Sequence, residues 1–300
     1  MASIIKSEFL EKLTARYGQC RRINGSQSLF DVSDGQLRVY VRYSKRHARD
    51  STFYGLRAID LGLLEGHPSV LCFLWDDQSV PLLIPFSEFE DLFRTVSPAS
   101  DGQYKIQIYT REEATELYLA SAGRFNVESY YGWDAADMLC KRKESDMPVL
   151  SHSQVQTLIG SLGARKGYAV WIPANDRSKM DWTLASPFDC ARTPPLGVME
   201  IREVVQEIDV IWMDKGASKA RAFFEVEHST PIYSALLRFN DVLILSPQSD
   251  ARYSIVSNED RRSLFVRQLN RPTFCASGLD NACSFLEYRN VFLWHKRVTS

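Results

Sequence analysis

The sequence predicts an α+β chain of two domains, in which an α/β unit with a mixed sheet flanked by helices follows a separate α+β unit. Two observations carry that reading. The first is length, because 300 residues are more than one core commonly organises. The second is a change of rhythm. Short period-2 runs dominate the first half. From residue 153 onward the pattern becomes helix, strand, strand, strand, helix, strand, strand, helix. The charged segment 141–148 ends in Pro148 and reads as a linker. The expected domains are residues 1–143, assigned to target recognition, and residues 150–300.

The elements follow in order. Ile4, Phe9, Leu10, Leu13 and Tyr17 fall at helical spacing and predict a helix over 4–17. Leu37, Val39 and Val41 alternate with Arg38, Tyr40 and Arg42, the pattern of a half-buried strand. Residues 70–75 and 80–84 read as strands joined by a turn at 76–79. Ser87, followed by acids, reads as the N-cap of a short helix. Tyr104, Ile106 and Ile108 alternate again. In the second half, Ser153 is the expected cap of a helix carrying Val155, Leu158, Ile159 and Leu162, with Gly163 as its stop. Strands are expected over 168–172, 208–213 and 222–227. A helix over 232–239 follows, capped by Ser229 or Thr230, with Pro231 in its first turn. Strands over 242–245 and 253–256 and a helix over 259–269 complete the pattern.

Composition sets limits on function. The hydrophobic fraction of 45% is that of an ordinary globular chain. The net charge of −1 gives no bulk attraction to a polyanion, so nucleic-acid contact must come from a local patch. Cys20, Cys72, Cys140, Cys190, Cys275 and Cys283 are scattered, with no Cys-x-x-Cys pair and no secretory leader before them. That suggests reduced thiols in a cytoplasmic protein and no zinc site. No apolar run reaches the length of about 18 residues that a membrane span needs.

The chemistry concentrates in residues 207–238. Asp209, Glu225 and Glu227 sit in otherwise apolar strands, where a core would take Val or Ile. A buried charge without a partner is costly, about 3–5 kcal/mol, so these acids require a cation. Residues i and i+2 of a strand share a face, which puts Glu225 and Glu227 on one side. If the preceding strand pairs alongside, Asp209 joins them. One such cation is Mg²⁺, which takes one or two carboxylates plus phosphate oxygens and lowers the pKa of bound water. The other is a side chain, with Arg221, Lys219 and Arg238 in reach along the sequence.

This order of elements, with an acid on one core strand and a carboxylate pair on the next, resembles the PD-(D/E)XK nuclease superfamily, the restriction-endonuclease-like fold. Asp209 matches its first acid and Glu225 its second, while Glu227 stands where Lys is usual, a Glu-Val-Glu variant with precedent among restriction enzymes. Residues 153–275 also resemble a recurrent bacterial nuclease-like domain. The matching blocks are Val155-Gln156, Leu162-Gly163, Val170-Trp171, Asn175 to Arg177, Ile208 to Val210, Phe224 to Thr230, Ile232 to Ser234, Leu237-Arg238 and Arg271 to Phe274. The resemblance implies phosphodiester hydrolysis with Mg²⁺ or Mn²⁺, duplex DNA as substrate and a restriction or defence role. Asp209 and Glu225 would hold the metal, and Glu227 would be a third ligand or the group that orients water. Cutting both strands would suit a homodimer. A degenerate fold of this type would instead be a non-catalytic module binding nucleic acid or protein, and RNA is a third candidate substrate.

Other candidates are weaker individually. His228 follows the acid pair and should face away from it, as a packed or capping residue or a general base. Arg238 suits a bidentate phosphate contact or an ion pair to a site carboxylate. Gln156, Asp176 and Arg177 are polar positions suited to metal-shell or DNA contacts, or to plain surface. Arg38, Tyr40, Arg42, Lys45, Arg46, His47 and Arg49 form a basic, aromatic-interleaved run that could line a nucleic-acid surface or simply face solvent. The clusters Phe53-Tyr54-Gly55 and Tyr130-Tyr131-Gly132-Trp133 fit core packing better than base stacking.

Overall fold

The computed structural model describes residues 2–23, 26–47, 50–111, 114–141, 148–195, 201–216, 219–247 and 250–299. Arg49 and linker residues 142–147 lie outside them. The chain divides into two compact units, Met1–Glu144 and Ser145–Ser300. Among the described residues no helix is long and apolar enough to cross a membrane.

The first unit is α+β. Its elements are α1 (Ala2–Tyr17), β1 (Cys20–Arg22), β2 (Leu29–Val32), β3 (Leu37–Ser44), β4 (Ser51–Arg57), α2 (Ala58–Gly62), β5 (Ser69–Trp75), β6 (Leu82–Pro85), α3 (Phe86–Thr95), β7 (Gln103–Thr110), β8 (Thr115–Leu119), β9 (Gly123–Asn126) and α4 (Asp134–Lys141). One sheet has the order β1-β2-β3-β5-β6 and a second the order β4-β7-β8-β9. Between them lies an apolar layer in which Tyr40, Leu71 and Phe73 meet Tyr54, Leu56, Ile106 and Ile108. On the other side of the first sheet, Val39, Val41, Val70 and Cys72 pack against Phe9 and Leu13 of α1 and Ala136 of α4.

That layering corrects the reading of β3. Its alternation predicts one wet face, but both faces are covered, and Arg38, Val39, Tyr40 and Val41 are all buried. The start of α3 also differs, with Pro85 as N-cap and Ser87 inside the helix.

The second unit is a three-layer arrangement. It comprises α5 (His152–Arg165), β10 (Ala169–Trp171), α6 (Ala174–Arg177), α7 (Arg202–Val205), β11 (Val210–Met213), β12 (Ala220–Val226), α8 (Ile232–Leu245), β13 (Arg252–Ser257), α9 (Arg262–Leu269), α10 (Pro272–Ser277), α11 (Leu279–Ala282), β14 (Cys283–Glu287) and α12 (Tyr288–Thr299). The sheet order is β10-β11-β12-β13-β14. The first two pairings are antiparallel and the last two parallel, which makes the sheet mixed. One face packs Ile211, Phe223, Tyr253, Ile255 and Phe285 against α8 to α11. The other packs Val210, Trp212, Phe224, Val226 and Leu286 against α5 and α12. Strands covered on both faces are nearly continuous apolar runs, which is why 222–226, with Glu225 inside it, stands out in the sequence.

Several boundaries differ from the expected ones. Ser151, not Ser153, caps α5, in a capping box with Gln154. Gly163 does not end that helix. It lies inside α5, where an added Cβ would meet the Trp212 indole at 2.4 Å, so glycine permits the close approach of α5 to β11. Residues 242–245, expected as a strand, are the last turn of α8. A short apolar run has no period of its own, and Val242 extends the buried stripe of Ala235 and Phe239. Thr230 does not cap α8, because its hydroxyl is bonded to Glu227 instead.

Candidate active site

The three parallel strands β12, β13 and β14 end together, and their carboxyl ends bring Glu225, Glu227, Ser257 and Tyr288 to one edge of the sheet. Crevices at such edges are where open α/β sheets bind ligands. Asp209 reaches the same edge from the antiparallel neighbour. Val210 is opposite Phe224, so Asp209 stands one step outside β11 beside Glu225, not within the strand as expected. Its carboxylate takes the place that a carbonyl would fill in a continuing ladder. Asp209 Oδ2 accepts the Val226 N–H at 2.7 Å. The three acids therefore gather around one peptide.

Each acid has a distinct set of partners. Gln156, 1% exposed on α5, donates Nε2–H to the Asp209 carbonyl at 3.0 Å. It is thus a support for Asp209 rather than a free polar group. His152 Nε2, in the first turn of α5, lies 3.6 Å from Asp209 Oδ1. Asp209 raises the imidazole above its ordinary pKa, against the effect of burial. Glu225 is 1% exposed and takes both arms of Arg238, at 2.6 and 3.0 Å. Burial pushes the Glu225 carboxyl well above the ordinary range, Arg238 opposes this, and Asp209 adds to the push. A bidentate fork suits an ionised acceptor, so Arg238 favours the charged form of this carboxylate against its burial. Burial raises the Glu227 carboxyl too, with the Thr230 hydroxyl bond working against it. Its carbonyl accepts from Ser257 Oγ at 2.5 Å and Arg261 Nη1 at 2.7 Å, and Arg261 also holds the Thr230 carbonyl at 2.6 Å.

The remaining candidates separate clearly. His228 is exposed, and its ring stacks on Tyr288 with centroids 6.1 Å apart. Arg177 is spent on structure, bonding the Ile172 and Ala191 carbonyls at 3.0 and 2.7 Å and covering the Trp171 ring. Asp176 pairs with Lys179 at 2.9 Å. Arg221 and Lys219, expected alternatives for the site acids, pair instead with Asp214 and Asp250. His152, Arg261 and Tyr288 reach the site without a local signal in the sequence.

In the first unit the basic run is corrected. Arg38 is 6% exposed, pairs with Asp31 at 3.2 Å and bonds the Leu63 carbonyl. Tyr40 is fully buried and its oxygen accepts the Arg57 N–H at 3.1 Å. Neither can meet a nucleic acid, because the second sheet covers that face of β3. Arg42 is half-buried beside the Tyr40 ring. Lys45, Arg46 and His47 are exposed, with Arg46 paired to Asp50 at 3.2 Å.

The donor set fits a hard cation in chemistry, with carboxylate oxygens crowded at a sheet edge. As the side chains stand, no three His, Cys, Asp or Glu groups among the described residues are placed to hold an ion together. Arg238 occupies both Glu225 oxygens. A hexacoordinate Mg²⁺ asks for one or two carboxylates and completes its shell with water and phosphate, a demand that Asp209 with one glutamate can meet.

Residues 138–296 match the family model described as the Type II restriction enzyme NmeDI C-terminal domain, over more than half of the 300 residues. The chain belongs to that family. The NmeDI C-terminal domain match takes in Asp209, Glu225 and Glu227 and runs on through most of α12. The Type II restriction enzyme NmeDI of Neisseria meningitidis serogroup C is 27% identical over 183 residues, covering 55% of this chain and 48% of its own length. The chain thus spans about half the length of the relative it matches. No solved structure matches it.

Proposed function

We propose that the second unit is a metal-dependent endonuclease of the PD-(D/E)XK, restriction-endonuclease-like type in its Glu-Val-Glu form, acting on duplex DNA in the cytoplasm. The observation that carries the reading is the Asp209 carboxylate bonded to the peptide between Glu225 and Glu227, in a chain of a restriction-enzyme family. Asp209 and Glu225 are the assigned ligands of Mg²⁺ or Mn²⁺, and Glu227 is a third ligand or the group that orients water. A bound divalent ion supplies charge for the scissile phosphate and acidifies water. The protein's residues supply the rest. Gln156 fixes the Asp209 backbone, and Arg261 and Ser257 fix the Glu227 carbonyl. If a divalent ion held Glu225, Arg238, which now bonds both its oxygens, would be free to bind a phosphate oxygen. In hydrolysis the water oxygen forms the new bond to phosphorus. The bond to the sugar oxygen breaks with its electron pair, and a water proton passes to a site carboxylate. Cutting both strands would favour a homodimer, and Lys45 and Arg46 are exposed cations of the first unit that suit the DNA backbone.

One observation favours a second reading, a non-catalytic module that binds nucleic acid or protein. Arg238 already neutralises Glu225, which leaves less need for a metal. Parallel digests of plasmid, phage DNA and RNA, with and without Mg²⁺ or Mn²⁺, separate the two. Metal-dependent loss of duplex DNA supports the nuclease, loss of RNA alone changes its substrate, and no loss favours the module.

A further inference from the structure

The cluster Phe53-Tyr54-Gly55 divides in the fold. Tyr54 turns into the apolar layer between the two sheets of the first unit, while Phe53 is 46% exposed. Successive strand residues alternate between faces, so Phe53 lies on the outer face of the sheet β4-β7-β8-β9. The register there sets Phe53 opposite Gln107, Gln107 opposite Tyr118 and Tyr118 opposite Arg124. In the next row Tyr109 stands opposite Glu116. Phe53 and Tyr118 are thus two strands apart, about 10 Å.

The outer face of an antiparallel sheet ordinarily carries polar side chains, so three aromatic rings on it call for a reason. The charges supply one. Arg124 lies over the Tyr109 ring at 4.4 Å and the Tyr118 ring at 5.5 Å, and Arg111 lies over Tyr109 at 5.8 Å. Among the described residues, Glu116 is the carboxylate that both guanidinium groups reach, at 2.9 Å from Arg124 and 3.8 Å from Arg111. Two cations share one anion, which leaves surplus positive charge over the rings. Arg46, which Asp50 also holds, donates to Thr110 Oγ1 at 3.0 Å and brings the exposed Lys45 to the same end of the face. Rings that accept bases and cations that accept phosphates are the two parts of a single-strand site. A duplex fits poorly, because its stacked bases present only their edges in the grooves.

We propose that this outer face of the first unit holds single-stranded DNA, with bases stacked on Phe53 and Tyr118 and phosphates against Arg111 and Arg124. Arg124 is 41% exposed and able to turn from ring to phosphate. The choice of DNA over RNA rests on the nuclease reading above; the stacking does not.

The test uses the full-length protein without divalent ions. The probes are a fluorescent oligothymidylate of about 15 nucleotides, an oligouridylate of the same length and a mixed-sequence duplex. Phe53→Leu keeps apolar surface and removes the π-face, while Phe53→Trp keeps both, and melting curves set a binding temperature at which each variant is folded. The wild type should bind the oligothymidylate more tightly than the duplex. Phe53→Leu should weaken single-strand binding about fivefold or more, the loss of one stack, with duplex binding unchanged. Phe53→Trp should retain the affinity, and the oligothymidylate should quench its added fluorescence. No binding of the single strand, equal binding by Phe53→Leu, a parallel loss on the duplex or tighter binding of the oligouridylate would each overturn the assignment. Cleavage does not enter without divalent ions, so such a failure leaves the nuclease reading standing, and the parallel digests decide that reading separately.

Discussion

Asp209 Oδ2 and the Val226 N–H are 2.7 Å apart, a bond that ends the β11–β12 ladder with a carboxylate in place of a carbonyl. It makes Asp209 both a structural acceptor and a charge, and the two roles can be separated. Asp209→Asn keeps a side-chain oxygen for the Val226 amide, while Asp209→Ala leaves that amide unpaired. An unpaired buried donor costs about 1–3 kcal/mol. Urea unfolding should therefore rank Ala below Asn by about that amount. Equal stabilities would show that the bond contributes nothing to the fold.

Arg238 and Glu225 give the second prediction. A cluster of like charges suggests that deleting one carboxylate relieves strain, but the bidentate fork from Arg238 reverses that expectation for Glu225. With Glu225 1% exposed and Arg238 29% exposed, the arginine is the partner that can reach water. Arg238→Met should lower stability by about 3–5 kcal/mol at neutral pH, the usual effect of stranding a buried charge. Adding Glu225→Gln should restore most of it. A double variant no better than the single one would show that the cost lies in packing.

His295 couples α12 to α5 and gives a pH dependence. It is 5% exposed, its Nε2 lies 3.0 Å from Ser161 Oγ, and burial, then the charge of Arg165, lowers its pKa. The unfolded chain therefore binds this proton more readily than the native one. The stabilisation is complete above the unfolded value of about 6.5 and is lost as pH falls through it toward the native value. His295→Gln should remove that part of the fall between about pH 7.5 and about pH 5.5, measured by chemical unfolding. An unchanged pH profile would place the titration elsewhere.

In the first unit, the exposed cations and the buried one should behave oppositely. Lys45→Ala with Arg46→Ala should flatten the salt dependence of DNA binding, by about 0.9 in log–log slope for each phosphate no longer neutralised. Stability should hardly change. Arg38→Ala should instead destabilise the fold, because it strands the Asp31 carboxylate and the Leu63 carbonyl. A slope unaltered by the double variant would assign Lys45 and Arg46 to solvent alone.

Glu225 is legible in the sequence because it interrupts an apolar strand that both faces of the sheet cover, and Asp209 and Glu227 because they border the neighbouring strands β11 and β12. His152 is not legible, because the capping box of Ser151 and Gln154 starts α5 before Ser153, the cap that the sequence suggests. Tyr288 and Arg261 cannot be found from spacing, because parallel pairing brings them to Glu227 from distant points of the chain. Arg38 and Tyr40 mislead for the opposite reason. Period-2 alternation records which residues differ between two faces, and it cannot record that a second sheet covers the polar one.

The central claim is that the edge holding Asp209, Glu225 and Glu227 hydrolyses duplex DNA with a divalent ion. The most direct measurement is Mg²⁺-dependent cleavage of plasmid and phage DNA by wild type and Asp209→Asn side by side, since that variant keeps the Val226 bond. The wild type should cut only with Mg²⁺ or Mn²⁺, and the variant should lose about 10²–10³-fold or more of that rate. Cleavage by Asp209→Asn at the wild-type rate would contradict it.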